Sequence, residues 1–242
     1  MLLQIISQLF IVSTLSNMIK ITQKYLPKGS KRRSGDKLKA IKFIVAHDTG
    51  NDNSTALQNV NYYINSANEV SASAHTFVDD KEIIECVPLD EKAWHVRYNV
   101  PTDNVMFGVD ANDYAIGVEL CYFSKDKERS LKAYTSYVEY IAQKTLEYNL
   151  NPKTKIVGHY TLDPGRKTDP INAFKTFGKT WEDFIVDVCN KREQLQTPIV
   201  VESVPVKQEV CVDNTQMDDI KTKVKNKEVL GLFASIKKLF KL

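Results

Sequence analysis

The feature that most constrains the fold is IKFIVA, a strand-length run of mainly apolar and β-branched residues at positions 41–46. Such a run is typical of a strand that is buried on both faces of a sheet. A strand of this kind is expected in a sheet that is covered by helices. The run is followed directly by His47, so a polar side chain stands where the strand is expected to end.

Strand and helix patterns alternate through the rest of the central part of the chain. A helix is expected to start at the N-cap Ser54, because apolar residues then recur at helical spacing. The segments HTFVD and EIIECV, separated by Asp80 and Lys81, predict a hairpin of two strands. Further helices are expected over residues 130–148 and 179–193, each with its apolar residues on one stripe.

Two more strands are expected, and both lead to polar residues. In AIGVELCY at residues 115–122 the even-numbered residues form the expected core face, so Glu119 lies on the opposite face. KIVG at residues 155–158 is a short strand that ends before His159. The polar stretch VGHYTLDPGRKTDP, residues 157–170, is expected to form an irregular loop outside the core. These elements predict an α/β fold with a mixed central β-sheet flanked by helices.

The ends of the chain differ in composition from its centre. Residues 1–17 are apolar and are interpreted either as a signal-like extension or as sequence upstream of a start at Met18. Residues 18–194 contain the predicted elements and form the expected folded domain. Residues 195–216, rich in Val, Pro and Gln without a period, are interpreted as a linker, and residues 217–242 as a basic amphipathic tail.

The tail accounts for the net charge of the protein, which is +3. Its seven Lys against three acidic residues give it +4, so the other 216 residues sum to −1 and offer no extended basic surface to nucleic acid. In VLGLFASIKKLFKL the apolar residues form one helical stripe with the lysines beside it. This pattern favours a helix that binds an anionic membrane or wall surface; the alternative is a helix docked on the domain or on a partner helix.

The candidate metal ligands are mainly histidines. The four cysteines lie far apart and form no CxxC pair, so neither a zinc ribbon nor a disulfide framework is expected. His47 and His159 each stand at the end of a predicted strand, and two imidazoles with one carboxylate can form a catalytic zinc site. Asp169 is the best third ligand, whereas Asp163, interpreted as a turn former, and Cys121 are alternatives.

Five short motifs occur in an order that resembles a known family. The chain is similar to the zinc-dependent type 2 N-acetylmuramoyl-L-alanine amidases, which include phage endolysins, bacterial recycling amidases and peptidoglycan recognition proteins. The resemblance covers about residues 19–193. The motifs are HDTG at 47–50, SAHTFVDD at 73–80, AWH at 93–95, IGVEL at 116–120 and VGHYTLDPGRKTDP at 157–170.

The resemblance implies a role for five residues. His47, His159 and Asp169 match the zinc ligands of the family, so one Zn²⁺ per chain is expected. Glu119 matches the catalytic glutamate and Lys167 the lysine beside the metal. A carboxylate at Glu119 can take a proton from water and later protonate the leaving amine, while Lys167 can stabilise the developing oxyanion.

The resemblance also indicates a substrate groove. Asp48 departs from the family, in which His or Asn often follows the first ligand. Arg97 and Arg166 are candidates for pairing with peptide carboxylates, with plain surface placement as the alternative. The residues expected to line the groove and contact substrate are His75, Trp94 and His95. For His75 the alternative is a buried hydrogen-bonding role, for Trp94 it is core packing, and His95 is the second candidate for the base.

The resemblance implies an enzyme that cuts peptidoglycan between the muramic acid lactyl group and L-alanine, as a phage endolysin that lyses its host. Such a protein is synthesised in the bacterial cytoplasm and acts at the cell wall or in the periplasm. One alternative is a cytosolic amidase that recycles soluble anhydro-muropeptides. Another is a noncatalytic peptidoglycan-binding module, which the retention of all three ligands disfavours. The oligomeric state is left unassigned.

Overall fold

The computed structural model describes residues 21–196, which form a mixed β-sheet with helices on both of its faces. Across the sheet the six strands follow the order β1-β4-β3-β5-β2-β6. Within these residues β3 and β4 pair antiparallel, and the other neighbours pair parallel. The strands are β1 (Ile21–Gln23), β2 (Phe43–Asp48), β3 (Thr76–Val78), β4 (Ile83–Glu85), β5 (Ala115–Leu120) and β6 (Ile156–Gly158).

Helices fill most of the connections between the strands. The long ones are α1 (Ala56–Asn65), α4 (Lys127–Glu147) and α8 (Trp181–Gln196). The short ones, none of which the sequence predicts, are α2 (Pro101–Phe107), α3 (Ala111–Tyr114), α5 (Pro152–Lys155), α6 (His159–Leu162) and α7 (Ile171–Phe177). No helix within residues 21–196 is both long and apolar enough to cross a membrane.

Strand β2 lies between β5 and the edge strand β6 and is buried along its whole length, as the apolar run predicts. Ile44 and Ala46 face a cluster of side chains from α4, α7 and α8. Phe43 and Val45 face the opposite cluster, where Phe43 stacks on Phe107 of α2 with ring centroids 3.9 Å apart. Helix layers on both sides therefore explain why the strand is apolar on both faces.

Two helices start at residues other than those predicted, because of local side-chain hydrogen bonds. Helix α1 begins after Thr55 rather than Ser54, because Thr55 accepts from the Gln58 N–H at 3.2 Å and the Gln58 side chain accepts from the Thr55 N–H at 2.9 Å. This reciprocal pair is a capping box. Helix α4 begins three residues before Ser130, because the carboxylate of Asp126 accepts from the Arg129 N–H at 3.0 Å.

Two further expectations are wrong. Leu131, which the helical period places on the apolar stripe of α4, is 36% exposed, because the buried face of the helix runs through Ser130, Ala133, Tyr137 and Tyr140 instead. Helix α8 runs to Gln196 and so includes residues 195 and 196, which the sequence assigns to the linker. The remainder of that linker, the extension at residues 1–17 and the tail at 217–242 lie outside the described residues.

The segment after Gly158 forms the predicted irregular loop only in part, and not all of it lies outside the core. Its first residues form α6, in which Leu162 is fully buried, and Asp169 further along is only 8% exposed. Polar groups can be buried when they are paired, and Asp169 is hydrogen bonded to His159. The polar composition of the segment therefore reflects both a buried polar pair, His159 and Asp169, and exposed residues at 164–166 and 168.

Candidate active site

Three adjacent parallel strands bring the candidate residues to one edge of the sheet. In the pairing of β2 with β5, His47 lies directly opposite Glu119. In the pairing of β2 with β6, Ala46 lies opposite Gly158, so His159 follows at the next position along the edge. The carboxyl ends of parallel strands share one edge, which is where open α/β sheets commonly bind ligands. The strand-end histidines therefore meet, as the sequence predicts.

Asp169 joins the two histidines from the segment that follows β6. Its Oδ2 lies 2.9 Å from Nδ1 of His47 and 3.0 Å from Nδ1 of His159. All three side chains are buried, and one ligand atom from each lies within 4.8 Å of the others. The structure thus assembles the three predicted metal ligands into one compact cluster.

The two alternative ligands lie elsewhere. Asp163 caps the end of α6 and accepts a hydrogen bond from Nε of Arg166 at 2.8 Å, which fits the turn-forming role. Cys121 is fully buried in the apolar cluster beneath α1, where Nδ2 of Asn59 donates to its Sγ at 3.7 Å. Neither side chain belongs to the candidate metal cluster.

The protonation states of the cluster suit a metal ion. Burial, reinforced by the neighbouring His159, lowers the pKa of His47 to about 4, so its imidazole is neutral at pH 7. Burial opposes ionisation of Asp169, but the hydrogen bonds from His159 and His47 outweigh burial and hold its pKa well below the ordinary value. Metal ions bind neutral imidazole and carboxylate, so this donor set is ready for zinc without loss of a proton from either group.

Glu119 is placed beside this cluster with its charge largely uncompensated. Its Oε2 is buried and has no hydrogen-bond partner among residues 21–196. Burial, helped by the carboxylates of Asp169 and Asp48, raises the pKa of Glu119 well above its ordinary value, whereas the charge of Lys167 acts in the opposite direction. A carboxyl group in this setting has the proton affinity required of a general base and acid.

These residues surround one cavity with a volume of about 410 Å³. Lys167 and Trp94, both half-buried, form part of its wall. Arg97 and Arg166 are exposed and line the adjoining part of the groove. The predicted residues around the cavity are His47, Trp94, His95, Glu119, His159, Lys167 and Asp169.

His75 does not fit the substrate-binding role predicted for it. Its ring is fully buried, with Nε2 2.9 Å from the carbonyl oxygen of Glu91 and Nδ1 accepting from the Gly117 N–H at 3.0 Å. Both ring nitrogens are therefore used by the backbone, and the ring lies outside the walls of the cavity. His75 is instead a buried histidine that is hydrogen bonded to the backbone, which is the alternative given for it above.

Two residues that support the site were not identified from the sequence. The Tyr137 hydroxyl on α4 accepts from the His47 N–H at 3.1 Å and donates toward the carbonyl oxygen of Val118 at 3.0 Å. Asp48, on the cavity wall, accepts from the Ala173 N–H at 3.1 Å, and burial raises its pKa to about 6. The apolar stripe expected over residues 130–148 does not include Tyr137, so no sequence pattern singles it out; Asp48 is marked only by its place beside His47 and its departure from the family.

Comparisons with known proteins agree with this geometry. A family model described as N-acetylmuramoyl-L-alanine amidase matches residues 37–172. The N-acetylmuramoyl-L-alanine amidase BlyA of Bacillus subtilis is 32% identical over 153 residues, which cover 60% of this chain and 41% of that protein. The N-acetylmuramoyl-L-alanine amidase CwlA of a Bacillus species is 34% identical over 168 residues, which cover 61% of this chain and 63% of the relative.

Solved structures give the same result. A mutant endolysin from Bacillus subtilis is 26% identical and superimposes with a TM-score of 0.57, over 71% of this chain and 99% of the other. The match to the family model spans more than half of the chain and includes His47, Glu119, His159 and Asp169. The chain spans less than two thirds of the length of either Bacillus amidase.

Proposed function

Because the chain belongs to the N-acetylmuramoyl-L-alanine amidase family, we propose that it hydrolyses the amide bond between N-acetylmuramic acid and L-alanine in bacterial peptidoglycan. One observation carries this proposal: the cluster of His47, His159 and Asp169 opens on the same cavity as Glu119 and Lys167. A metal-ligand set, a proton carrier and a cation around one cavity are the parts that amide hydrolysis needs.

We propose that the metal is one zinc ion, held by His47, His159 and Asp169. The donor set supports this, because two imidazoles and one carboxylate are a common ligand set of catalytic zinc. Zinc in such a site acts as a Lewis acid that polarises a carbonyl and lowers the pKa of water to about 7. Its three ligands come from two segments of the chain, so the site forms only in the folded domain.

Glu119 is the proposed proton carrier. Its carboxylate lines the cavity from the strand position opposite His47, which supports a role in proton transfer between a water and the scissile amide bound there. Its raised pKa favours uptake of a proton from the water, and the same proton can then pass to the leaving nitrogen of L-alanine. Without this second transfer the amine would be a poor leaving group.

Lys167 and Trp94 complete the proposed machinery. Lys167 lies on the cavity wall near Glu119 and Asp169, where its ammonium group can stabilise the negative charge that develops on the amide oxygen. Trp94 is half-buried and presents part of its ring to the cavity, which suits packing against a sugar or the stem peptide. His95 is also on this wall but is buried, and its contacts are with protein groups.

In the cell we propose the role of an endolysin that opens the host wall, with synthesis in the cytoplasm and action at the wall. The likeness to a mutant endolysin from Bacillus subtilis supports this role. The basic tail at residues 217–242 supports it too, since its pattern suits attachment to an anionic membrane or wall surface. The recycling alternative differs in substrate: it requires soluble anhydro-muropeptide, whereas an endolysin acts on intact sacculi.

The test is digestion of purified sacculi, with and without a chelator, followed by mass spectrometry of the released fragments. We expect free L-alanine amino termini, and we expect the chelator to abolish their release. His159→Ala should lose both zinc and activity, because two ligands hold zinc poorly. His75→Ala is the matched control: it removes an equally buried imidazole outside the cavity and should keep its zinc. Binding to sacculi without any cleavage would instead indicate a peptidoglycan-binding module.

A further inference from the structure

All four histidines of the chain lie in one row through the site. The ring centroids of His159 and His47 are 4.6 Å apart, those of His47 and His95 5.3 Å, and those of His95 and His75 5.7 Å. His159 and His47 belong to the metal cluster and His75 is bonded to the backbone. His95 therefore lies between His47 of the metal cluster and His75, and we infer its role from its bond to His47.

The two nitrogens of His47 have different partners. Nδ1 faces Asp169 within the metal cluster, whereas Nε2 lies 3.1 Å from Nδ1 of His95. A ring nitrogen that binds a metal carries no hydrogen, so the hydrogen of a neutral His47 must be on Nε2. A hydrogen on Nε2 needs an acceptor, because a buried donor without one is costly. Nδ1 of His95 is the atom that the structure places there.

We propose that His95 is a positioning residue for zinc: its Nδ1 accepts the Nε2 hydrogen of His47 and so fixes both the tautomer and the ring orientation that direct Nδ1 of His47 to the metal. This inference rests on the proposed zinc site. It requires His95 to carry its own hydrogen on Nε2, a buried atom that makes no hydrogen bond of normal geometry within residues 21–196; the backbone of Ala115 is the acceptor that interacts with this ring. Groups that orient a metal-bound histidine in this way typically contribute 10- to 100-fold to metal affinity.

The structure holds His95 in place for this role. The side-chain oxygen of Asn112 accepts from the N–H groups of both His95 and Val96 at 3.1 Å. Nδ2 of Asn112 donates to the carbonyl oxygen of Val96 at 2.9 Å. Asn112 is fully buried at the start of α3, so the backbone that carries His95 is fixed by a helix on the far side of the ring.

Gly117 provides the surface against which the His95 ring lies. A Cβ at this position would lie 2.5 Å from Cγ and 2.7 Å from Nδ1 of His95, both far inside contact distance. Any side chain on Gly117 would thus displace the atom that faces His47. The glycine in the middle of β5 is explained by this close approach.

The decisive experiment compares two substitutions of similar size at one position. In His95→Asn the amide oxygen can stand where Nδ1 stands and accept the same hydrogen, whereas in His95→Leu a methyl group stands there. Zinc affinity is measured by competition with a chromophoric chelator. We expect His95→Leu to weaken zinc binding by about 10- to 100-fold and His95→Asn to stay close to the wild-type value. Equal losses in the two variants, or no loss in either, would overturn the proposal.

A second pair of variants tests the packing. Gly117→Ala should weaken zinc binding in the same way, because its Cβ displaces the His95 ring. Gly165→Ala makes the same change in the segment that carries Asp169, where an added Cβ meets no atom within 4 Å, and it should bind zinc normally. If Gly117→Ala binds zinc as tightly as the wild type, the ring contact has no role in positioning the ligand.

Nitrogen-15 NMR of the zinc-loaded wild type provides a readout that needs no variant to fold. We expect the hydrogen of His47 on Nε2 and that of His95 on Nε2, with Nδ1 of His95 bare. A hydrogen on Nδ1 of His95 would refute the proposal directly. A wild type that binds no zinc would instead refute the proposed function, so the two failures are distinguishable.

Discussion

Removal of one hydroxyl group, in Tyr137→Phe, should weaken both the fold and the site. Tyr137 is fully buried on α4, and its hydroxyl is bonded to the backbone of β2 at His47 and of β5 at Val118. The phenylalanine ring fills the same space, so packing is preserved and only the hydrogen bonds are lost. The substitution therefore isolates the bond between helix α4 and the strand end that carries a metal ligand.

The magnitude follows from what the hydroxyl leaves behind. Its loss takes an acceptor from the buried His47 N–H and a donor from the Val118 carbonyl oxygen. Each buried polar group without a partner costs about 1–3 kcal/mol, so the two cost about 2–6 kcal/mol together. For a domain of this size each kcal/mol lowers the melting temperature by about 2–4 °C, so a decrease of about 4–24 °C is expected. A displacement of 1 Å at a catalytic group can cost about 10²-fold in rate, so a smaller shift of His47 is still measurable.

The assay needs a control on the same helix. Tyr140 is equally buried, but its hydroxyl bonds to the side chains of Thr76 and Glu85, both at 2.9 Å, rather than to the backbone of His47. Urea denaturation should show that Tyr137→Phe and Tyr140→Phe both lose stability. Turnover of soluble muropeptide and zinc affinity should fall in Tyr137→Phe alone. The reasoning is refuted if Tyr137→Phe is as stable and as active as the wild type, or if the two variants lose activity equally.

Three further outcomes are expected. Glu119→Gln should bind zinc normally but hydrolyse about 10²–10⁴-fold more slowly, because an amide cannot accept the proton; near wild-type turnover would assign the base elsewhere. Burial raises the pKa of Asp103 from 3.8 to about 6, so the folded state binds a proton on this carboxyl group more tightly than the unfolded state does. The contribution of Asp103 to the free energy of unfolding therefore falls as pH rises from about 4 to about 6. Relative to Asp103→Asn, the free energy of unfolding of the wild type should therefore decline by up to about 3 kcal/mol across that window in urea titrations; a flat difference would contradict the linkage. Deletion of residues 217–242 should spare hydrolysis of soluble muropeptide but weaken binding to anionic vesicles. Vesicle binding by the full chain should also weaken as the salt concentration rises. Vesicle binding that changes with neither the deletion nor salt would exclude the surface-attachment role.

The strands could be predicted from the sequence because their patterns are direct consequences of burial. The run at 41–46 overlaps β2, and the hairpin and AIGVELCY correspond to β3, β4 and β5. The short helices could not be predicted, since a helix of four to seven residues has too few positions to show a period. Their positions depend on tertiary bonds, such as that from the Ala111 N–H to Asp103 across a turn.

The candidate site, like the fold, could be predicted from the sequence only in part. His47 and His159 could be singled out because each stands at a strand end, and the sheet then brings them together. The position of His75 could not be deduced, because both of its bonds are to backbone groups that no side-chain pattern reports. Tyr137 has the same difficulty: it is not on the predicted apolar stripe, and its hydroxyl bonds to the backbone N–H of His47, which no side-chain pattern reports.

The ligand set has a consequence for how long the protein survives. His47 and Asp169 are separated by 122 residues, so an ion held by both acts as a cross-link that the unfolded chain lacks. A ligand that binds only the folded state adds RT ln(1 + [L]/Kd) to stability, about 4 kcal/mol when its free concentration is a thousand times Kd. Zinc depletion would then shorten the lifetime of the domain against proteases as well as stop its chemistry. If the proposed zinc site is correct, the amount of zinc in the surroundings sets not only how fast each molecule works but how many intact molecules remain.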